Sequence, residues 1–275
     1  MLTPRIASLH VYPVKSCRAI DVRDAKVTAT GLEWDRRWMI VDSKDRFVTQ
    51  RTHPHLTAIT PSIFAGQLRL VTDGQPQLAL DLHHDGPRRK VQVWKDSCVG
   101  VDAGQEASDW LLALMGEPLR LVRIDDSVPR LANPEYAGPD PHPISFTDGY
   151  PVLLISRASL EELNRKLPAP LPMNRFRPNI VIEGVPAHAE DAMTIFRFGR
   201  VAIRGVKPCT RCVTTTTDQK SGMRDAGQQP LKTLKTYRWD RKLKGVIFGQ
   251  NCVVVGGAGE TLAVGAELAI DPYQV

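Results

Sequence analysis

No stretch of this 275-residue sequence approaches the roughly 20 consecutive apolar residues that cross a bilayer as a helix, so no membrane association is expected. The N-terminus, Met-Leu-Thr-Pro-Arg, lacks both the apolar core of a secretory leader and the Arg/Ser-rich look of a transit peptide; a cytoplasmic location is expected. Aromatic residues are scarce at 6%, and no strand-like run clusters basic side chains, which argues against a nucleic-acid-binding barrel. Cysteines number only five, at 17, 98, 209, 212 and 252. An odd count without a leader predicts reduced thiols, not a disulfide framework. There is one Cys-x-x-Cys pair and no second, and the seven histidines have no zinc-finger spacing, so a structural zinc site lacks half its ligands. Repeats and low-complexity tracts are also missing.

What is present is ordinary globular composition, 42% hydrophobic and 24% charged, long enough for one large β-rich domain or two small ones. Twenty-one prolines and 20 glycines imply frequent turns and favour β structure over a helical bundle. The net charge of +6 is mild and suits an anionic ligand.

Short β-prone runs are predicted at 6–11, 25–30, 37–41 and 46–50, with Asp42-Ser43-Lys44-Asp45 as a hairpin turn. A second series follows at 68–72, 78–82 and 90–94. Residues 103–115 read as a helix, with Trp110, Leu111 and Leu114 on one face and Gly116 as its stop. Positions 123–143 read as a long irregular connection. A second helix is predicted over 157–167, with Ser156 as N-cap and Pro168 beyond its end. Strands are expected again at 179–183, 194–198, 201–206, 213–217, 247–255 and 262–270. The pattern is mainly β with a few helices (α+β), most simply a barrel or two.

Four constellations carry chemistry. The sharpest is Lys207-Pro208-Cys209-Thr210-Arg211-Cys212, followed by Val-Thr-Thr-Thr. A thioredoxin-type dithiol should open a helix, whereas this continuation has strand composition. Two packed cysteines in a β-rich core are the plain alternative. Lys207 and Arg211 would favour thiolate, the form that ligates soft metals, and Arg211 offers a fork suited to phosphate. The second is Tyr12-Pro13-Val14-Lys15-Ser16, with a cation, a hydroxyl and backbone N–H groups in one loop, or simply a solvated lysine after a strand. The third is Trp34-Asp35-Arg36-Arg37-Trp38, suggesting a partly buried ion pair, either structural or ligand-binding. In the fourth, Asn174 to Ile182, Pro178 biases Arg177 to an extended backbone, which would put Arg177 and Asn179 on one side of a strand start.

Together these motifs, with Pro230 to Arg238 and Phe248-Gly249-Gln250, resemble the MOSC family, the molybdenum cofactor sulfurase C-terminal type. Within it the chain looks like the mitochondrial amidoxime-reducing component and the bacterial YcbX-type proteins. The resemblance runs in order from about residue 5 to about 270. It implies a MOSC β-barrel over residues 123–275, preceded by a MOSC N-terminal β-barrel-like domain over 1–122. It also implies Mo-molybdopterin as cofactor. Cys212 would be the molybdenum ligand and catalytic cysteine, with Cys209 the lesser candidate. Lys15, Ser16, Arg36, Asp148, Arg177, Asn179, Thr210 and Arg211 would bind the cofactor. Thr210 replaces a family Ser and keeps the hydroxyl, while Asn251 replaces a family Tyr.

The implied activity is reduction of N-oxygenated small molecules, such as N-hydroxylated bases, hydroxylamines and amidoximes, by oxygen-atom removal at the metal. Asp148 and a bound water are the candidates for a general acid. YcbX-type chains often continue into a [2Fe–2S] domain; this sequence ends at Val275, so a separate ferredoxin-like or cytochrome b5-like donor with a flavoprotein reductase is expected. The competing reading is a carrier of the cofactor or of persulfide sulfur, without turnover.

Overall fold

The computed structural model describes residues 3–269. The first half of the chain forms β1 (Arg5–Val11), β2 (Ile20–Val22), β3 (Asp24–Thr28), β4 (Gly31–Leu32), β5 (Trp38–Val41), β6 (Thr60–Phe64), β7 (Gln67–Val71), β8 (Leu78–Asp81), β9 (Arg88–Val93), β10 (Asp96–Asp102), α1 (Gln105–Met115) and β11 (Arg120–Ile124). Three short elements follow: β12 (Arg130–Leu131), α2 (Pro134–Ala137) and β13 (Pro143–Ile144). The second half contains β14 (Val152–Ser156), α3 (Arg157–Lys166), β15 (Ile180–Glu183), β16 (Ile195–Phe198), β17 (Val201–Thr210), α4 (Leu231–Tyr237), β18 (Trp239–Asp240), β19 (Gly245–Gly256) and β20 (Thr261–Ala263). The protein is mostly β, as its composition implies.

The largest sheet has the order β16-β17-β19-β14-β15-β1-β2, with β18 hairpinned onto β19. Its β1 pairs antiparallel with β15, Arg5 opposite Glu183, although about 170 residues separate them. A register shift between Ile6 and Ser8 rephases β1, so that Ile6, Leu9 and Val11 all face the core despite breaking strict alternation. β14 and β15 run parallel, and α3 supplies the crossover that a parallel pair needs. A four-stranded sheet β5-β11-β10-β9 and a three-stranded sheet β6-β7-β8 are built from the first half. Near the other terminus β20 pairs with β3, so both ends of the chain are stitched across the molecule.

Local chemistry explains the helices. In α1, Ala107, Trp110 and Leu111 recur at helical spacing and are buried, and the helix ends at left-handed Gly116, whose N–H bonds Leu112. α3 begins on Ser156, whose hydroxyl accepts from the Ser159 N–H. One core lies on the large sheet around Leu154, Ile180, Phe196 and Ile203. Another, under β5 and α1, gathers Trp38, Ile40, Leu56, Leu111 and Leu121.

Several expected elements differ. Residues 213–217, expected as a strand, form a 3₁₀ helix over Val213–Thr216, held by the Thr215 and Thr216 hydroxyls bonding back to Cys212 O and Val213 O. Residues 46–50 make only bridges at Arg46 and Phe47, because Gln50 turns its side chain inward. The expected strand at 262–270 shrinks to β20 plus bridges at Glu267 and Ala269, and Ile270 lies outside the described residues. The expected irregular stretch 123–143 contains β12, α2 and the start of β13. α4 is too short for a clear apolar period; buried Leu234 and partly buried Tyr237 anchor it.

Candidate functional site

One cleft gathers the loop after β1, the turn before β5, the loop before β14, the turn before β15 and the end of β17. Lys15, Ser16, Arg36, Asp148, Arg177, Asn179, Thr210, Arg211 and Cys212 all line it. The four motifs, scattered over 200 residues of sequence, therefore meet in space.

Lys15 is buried, not solvated: its Nζ donates to Phe146 O at 2.8 Å and Asp148 Oδ1 at 2.5 Å. Burial pulls its pKa down from the ordinary 10.5, with Asp148 opposing. Enclosure by the cleft walls would raise the Asp148 carboxyl, but Lys15, the Trp94 indole N–H (3.1 Å) and Arg51 outweigh it and hold it well below the usual range. Held ionised in this way, the carboxylate anchors the Lys15 ammonium. Arg130 fixes this loop by donating to the carbonyls of Ser145, Thr147 and Asp148.

Arg36 pairs with fully buried Asp35 at 2.6 Å, and burial raises the Asp35 pKa against that charge. Arg36 also donates to Asn179 Oδ1 (3.0 Å) and Arg177 O (3.3 Å). Asn179 is committed at both ends: Oδ1 also accepts from Leu153 N, and Nδ2 donates to His10 O. It is a post for the turn more than a free donor. The Arg36 and Arg177 guanidinium groups lie 4.1 and 4.3 Å from the Tyr12 ring. Burial pushes Arg177 down to about 10 and Tyr12 up to about 12.

The expectation of an extended Arg177 is overturned: its φ is +55°. Proline disfavours the right-handed helical region at the preceding residue, and the 3₁₀ turn Met173–Arg175 then delivers Arg177 into the left-handed region instead. Ser16 (φ +70°) and Arg36 (φ +49°) share this conformation. Each such residue costs on the order of 1–3 kcal/mol, and three along one cleft are the kind of strain that collects at functional sites.

At the end of β17, Arg211 Nη1 donates to Cys209 Sγ at 2.9 Å and Nη2 to Phe176 O at 2.6 Å. Cys212 is exposed in the cleft, with its thiol 3.4 Å from Thr214 Oγ1. Lys207, expected beside the thiols, lies over the Tyr136 ring at 4.1 Å. Arg51, Arg175, Thr147, Thr214 and Asn251 also line the cleft. Arg175 donates to Thr216 O and Asp218. Neither Arg51 nor Arg175 is among the expected site residues: Arg51 stands outside the four motifs, and Arg175, although inside the fourth, has no local signal that sets it apart from Arg177.

Six cationic side chains and a single carboxylate, Asp148, line the cleft. Arg51, Arg177 and Arg211 have no carboxylate ion pair among the described residues, and Arg211 Nε and Thr147 Oγ1 are buried without hydrogen-bond partners. Surplus donors around an exposed thiol fit an oxyanion carried together with a soft metal. They do not suit a bare divalent cation, and no cluster of three or more His, Cys, Asp or Glu occurs among the described residues.

The chain belongs to the MOSC family: residues 3–118 match the MOSC N-terminal beta barrel domain and residues 141–269 match the MOSC domain. Within that family its homologues are the mitochondrial amidoxime-reducing components. It is 34% identical over 262 residues to mitochondrial amidoxime-reducing component 1 of Xenopus laevis, covering 89% of this chain and 76% of that one. It is 33% identical to component 1 of Homo sapiens, covering 90% and 78%, and 32% identical to component 2 of Bos taurus, covering 85% and 72%.

Proposed function

We propose that this protein is a molybdenum-cofactor-dependent reductase of N-oxygenated small molecules: N-hydroxylated bases, hydroxylamines and amidoximes. The observation that carries the reading is the cation-rich cleft facing an exposed cysteine at the end of β17. Cys212 is the thiolate ligand. Lys15, Ser16, Arg177, Thr210 and Arg211 receive the phosphate and pterin of Mo-molybdopterin, while Arg36 and Asn179 brace that wall from behind and Asp148 holds Lys15 in place. When bound, the cofactor supplies two-electron oxygen-atom chemistry. The overall conversion is R–NHOH plus two electrons and two protons to R–NH2 plus water. The chain's part is to bind the anion and orient the thiolate, with Asp148 anchoring Lys15.

Electrons would come from a separate ferredoxin-like or cytochrome b5-like protein with a flavoprotein reductase; the net charge of +6 suits an acidic carrier. No helix among the described residues is long and apolar enough to cross a membrane. The homologues are named mitochondrial; a cytoplasmic location, and action without nucleic acid, belong to this proposal. So does the division at residues 122/123, taken as two units that each lend a strand to the other. The exposure of Cys212 favours one other reading, a carrier of cofactor or persulfide without turnover.

The deciding experiment is molybdenum per chain by plasma mass spectrometry, on protein from a cofactor-competent host, with Cys212→Ala beside it. Near-stoichiometric metal that falls in the variant, together with N–O reduction using a chemical electron donor, supports the reductase. Metal without reduction supports the carrier, and a metal-free folded wild type overturns both cofactor readings.

A further inference from the structure

The cleft mouth contains a cation that neither the ion pairs nor the cofactor-binding motifs use. Arg51 lines the cleft with its guanidinium 4.2 Å from the Trp94 ring and 5.5 Å from the Phe47 ring. Among the described residues its side chain makes no hydrogen bond and no ion pair, so a planar fork of N–H donors stands ready. The one carboxylate nearby, Asp148, is already taken by Lys15 at 2.5 Å and by the Trp94 indole N–H. Arg51 acts on Asp148 only through its charge, so its own N–H donors stay unfilled.

The position of this arginine is built, not incidental. Gln50, fully buried, donates to Ser16 O at 2.6 Å and exchanges amide hydrogen bonds with Gln219, both at 3.0 Å. Arg224 donates to the carbonyls of Gln50 and of Arg51 itself. The backbone at Arg51 is thereby tied to the Ser16 loop on one side and to the 217–224 loop on the other. Trp94 is 45% exposed, its indole is fixed by Asp148, and the Arg51 guanidinium packs on its ring, so the fork is backed by an aromatic. An unfilled forked donor backed by a fixed aromatic recognises a flat ring that bears an oxyanion.

We propose that Arg51, backed by Trp94, is a specificity-determining residue that receives the anionic group, a carboxylate or a phosphate, of a planar N-oxygenated substrate. The inference rests on the reductase reading for the reaction but not for the binding.

The test is therefore equilibrium binding by calorimetry, which requires no turnover. Two matched pairs of probes separate the anion sources: 4-carboxybenzamidoxime against 4-carbamoylbenzamidoxime, and N4-hydroxycytidine 5′-monophosphate against N4-hydroxycytidine. At low salt the wild type should bind at least one anionic member about tenfold more tightly than its neutral partner, the size of one charge-assisted contact. Which pair shows the preference identifies carboxylate or phosphate. Arg51→Ala should abolish that preference, while Arg51→Lys, which keeps charge and loses the fork, should retain part of it. Trp94→Ala should weaken both members of the pair alike. Equal affinity for charged and neutral probes in the wild type, or a preference unchanged in Arg51→Ala, overturns the proposal. So does a fall in molybdenum per chain in Arg51→Ala with the preference intact, which would assign Arg51 to the cofactor. Should the wild type hold molybdenum and show the preference yet reduce none of the probes, the reductase reading falls and the recognition assignment stands.

Discussion

At the scale of single residues, the two cysteines of the Cys-x-x-Cys pair have different surroundings three positions apart. Cys209 is engaged by Arg211 and Cys212 is exposed in the cleft. Cys212→Ser should abolish N-reductase activity, whereas Cys209→Ser should keep a substantial part; equal loss in both, with metal retained in Cys212→Ser, would sink the ligand assignment. Arg177→Ala should lower cofactor occupancy more than folded yield. Two titrations follow, one from an ion pair and one from burial. Folding lowers the Asp148 pKa, so its ion pair with Lys15 contributes stability above the ordinary carboxyl range and loses it as pH falls below about 4. Asp148→Asn should lower Tm and flatten that acid arm. Burial also lowers the pKa of His188, with Arg238 adding to the effect. Its neutral form is favoured by folding, so this stability is present above pH 6.5 and declines below it as the unfolded chain takes up the proton. His188→Gln should reduce the slope of Tm against pH between about 6.5 and 5, and an unchanged slope would count against this assignment.

At the level of elements, α3 and the turn of β19 at Gly249 show how local sequence sets the fold. The Ser156 hydroxyl caps α3 and contacts Ser159 Oγ, which in turn donates to buried Glu190. Ser156→Ala should cost about 1 kcal/mol for the cap, seen as a Tm drop of a few degrees. Gly249 has φ +79°, and a Cβ there would lie 2.6 Å from Ile155 Cγ1 and 2.9 Å from Leu154 O. Gly249→Ala combines backbone strain with a clash against β14 and should cost roughly 2–4 kcal/mol in denaturant titration. α1 and α3 were readable because their apolar spacing and caps lie within a dozen residues. The Val-Thr-Thr-Thr run was misread because β-branched composition suggested a strand, whereas the threonine hydroxyls bond back to the preceding carbonyls and wind the chain into a 3₁₀ turn.

At the scale of the whole molecule, strand exchange makes the two halves interdependent. β1 completes the sheet of the second half through β15, and β20 completes the sheet of the first half through β3. Fragments 1–122 and 123–275 expressed separately should therefore lack cooperative unfolding transitions, and their mixture should regain one, as read by circular dichroism. Independent two-state melting of both fragments would show that the exchanged strands contribute little.

Local signals in the amino-acid sequence define a mainly β protein, most of its β-prone runs, two of the longer helices with the Ser156 cap and the Gly116 stop, and the motifs that resemble the MOSC family. These are local properties: periodicity, capping chemistry and short spacings are written within a few residues of one another. Assembly of the fold is what buries and pairs Lys15, turns Arg177 left-handed against Tyr12, and brings Arg51 and Arg175 into the cleft. Those outcomes depend on contacts between segments up to about 170 residues apart in sequence, and on desolvation and charge balance that no single segment possesses until the sheets assemble.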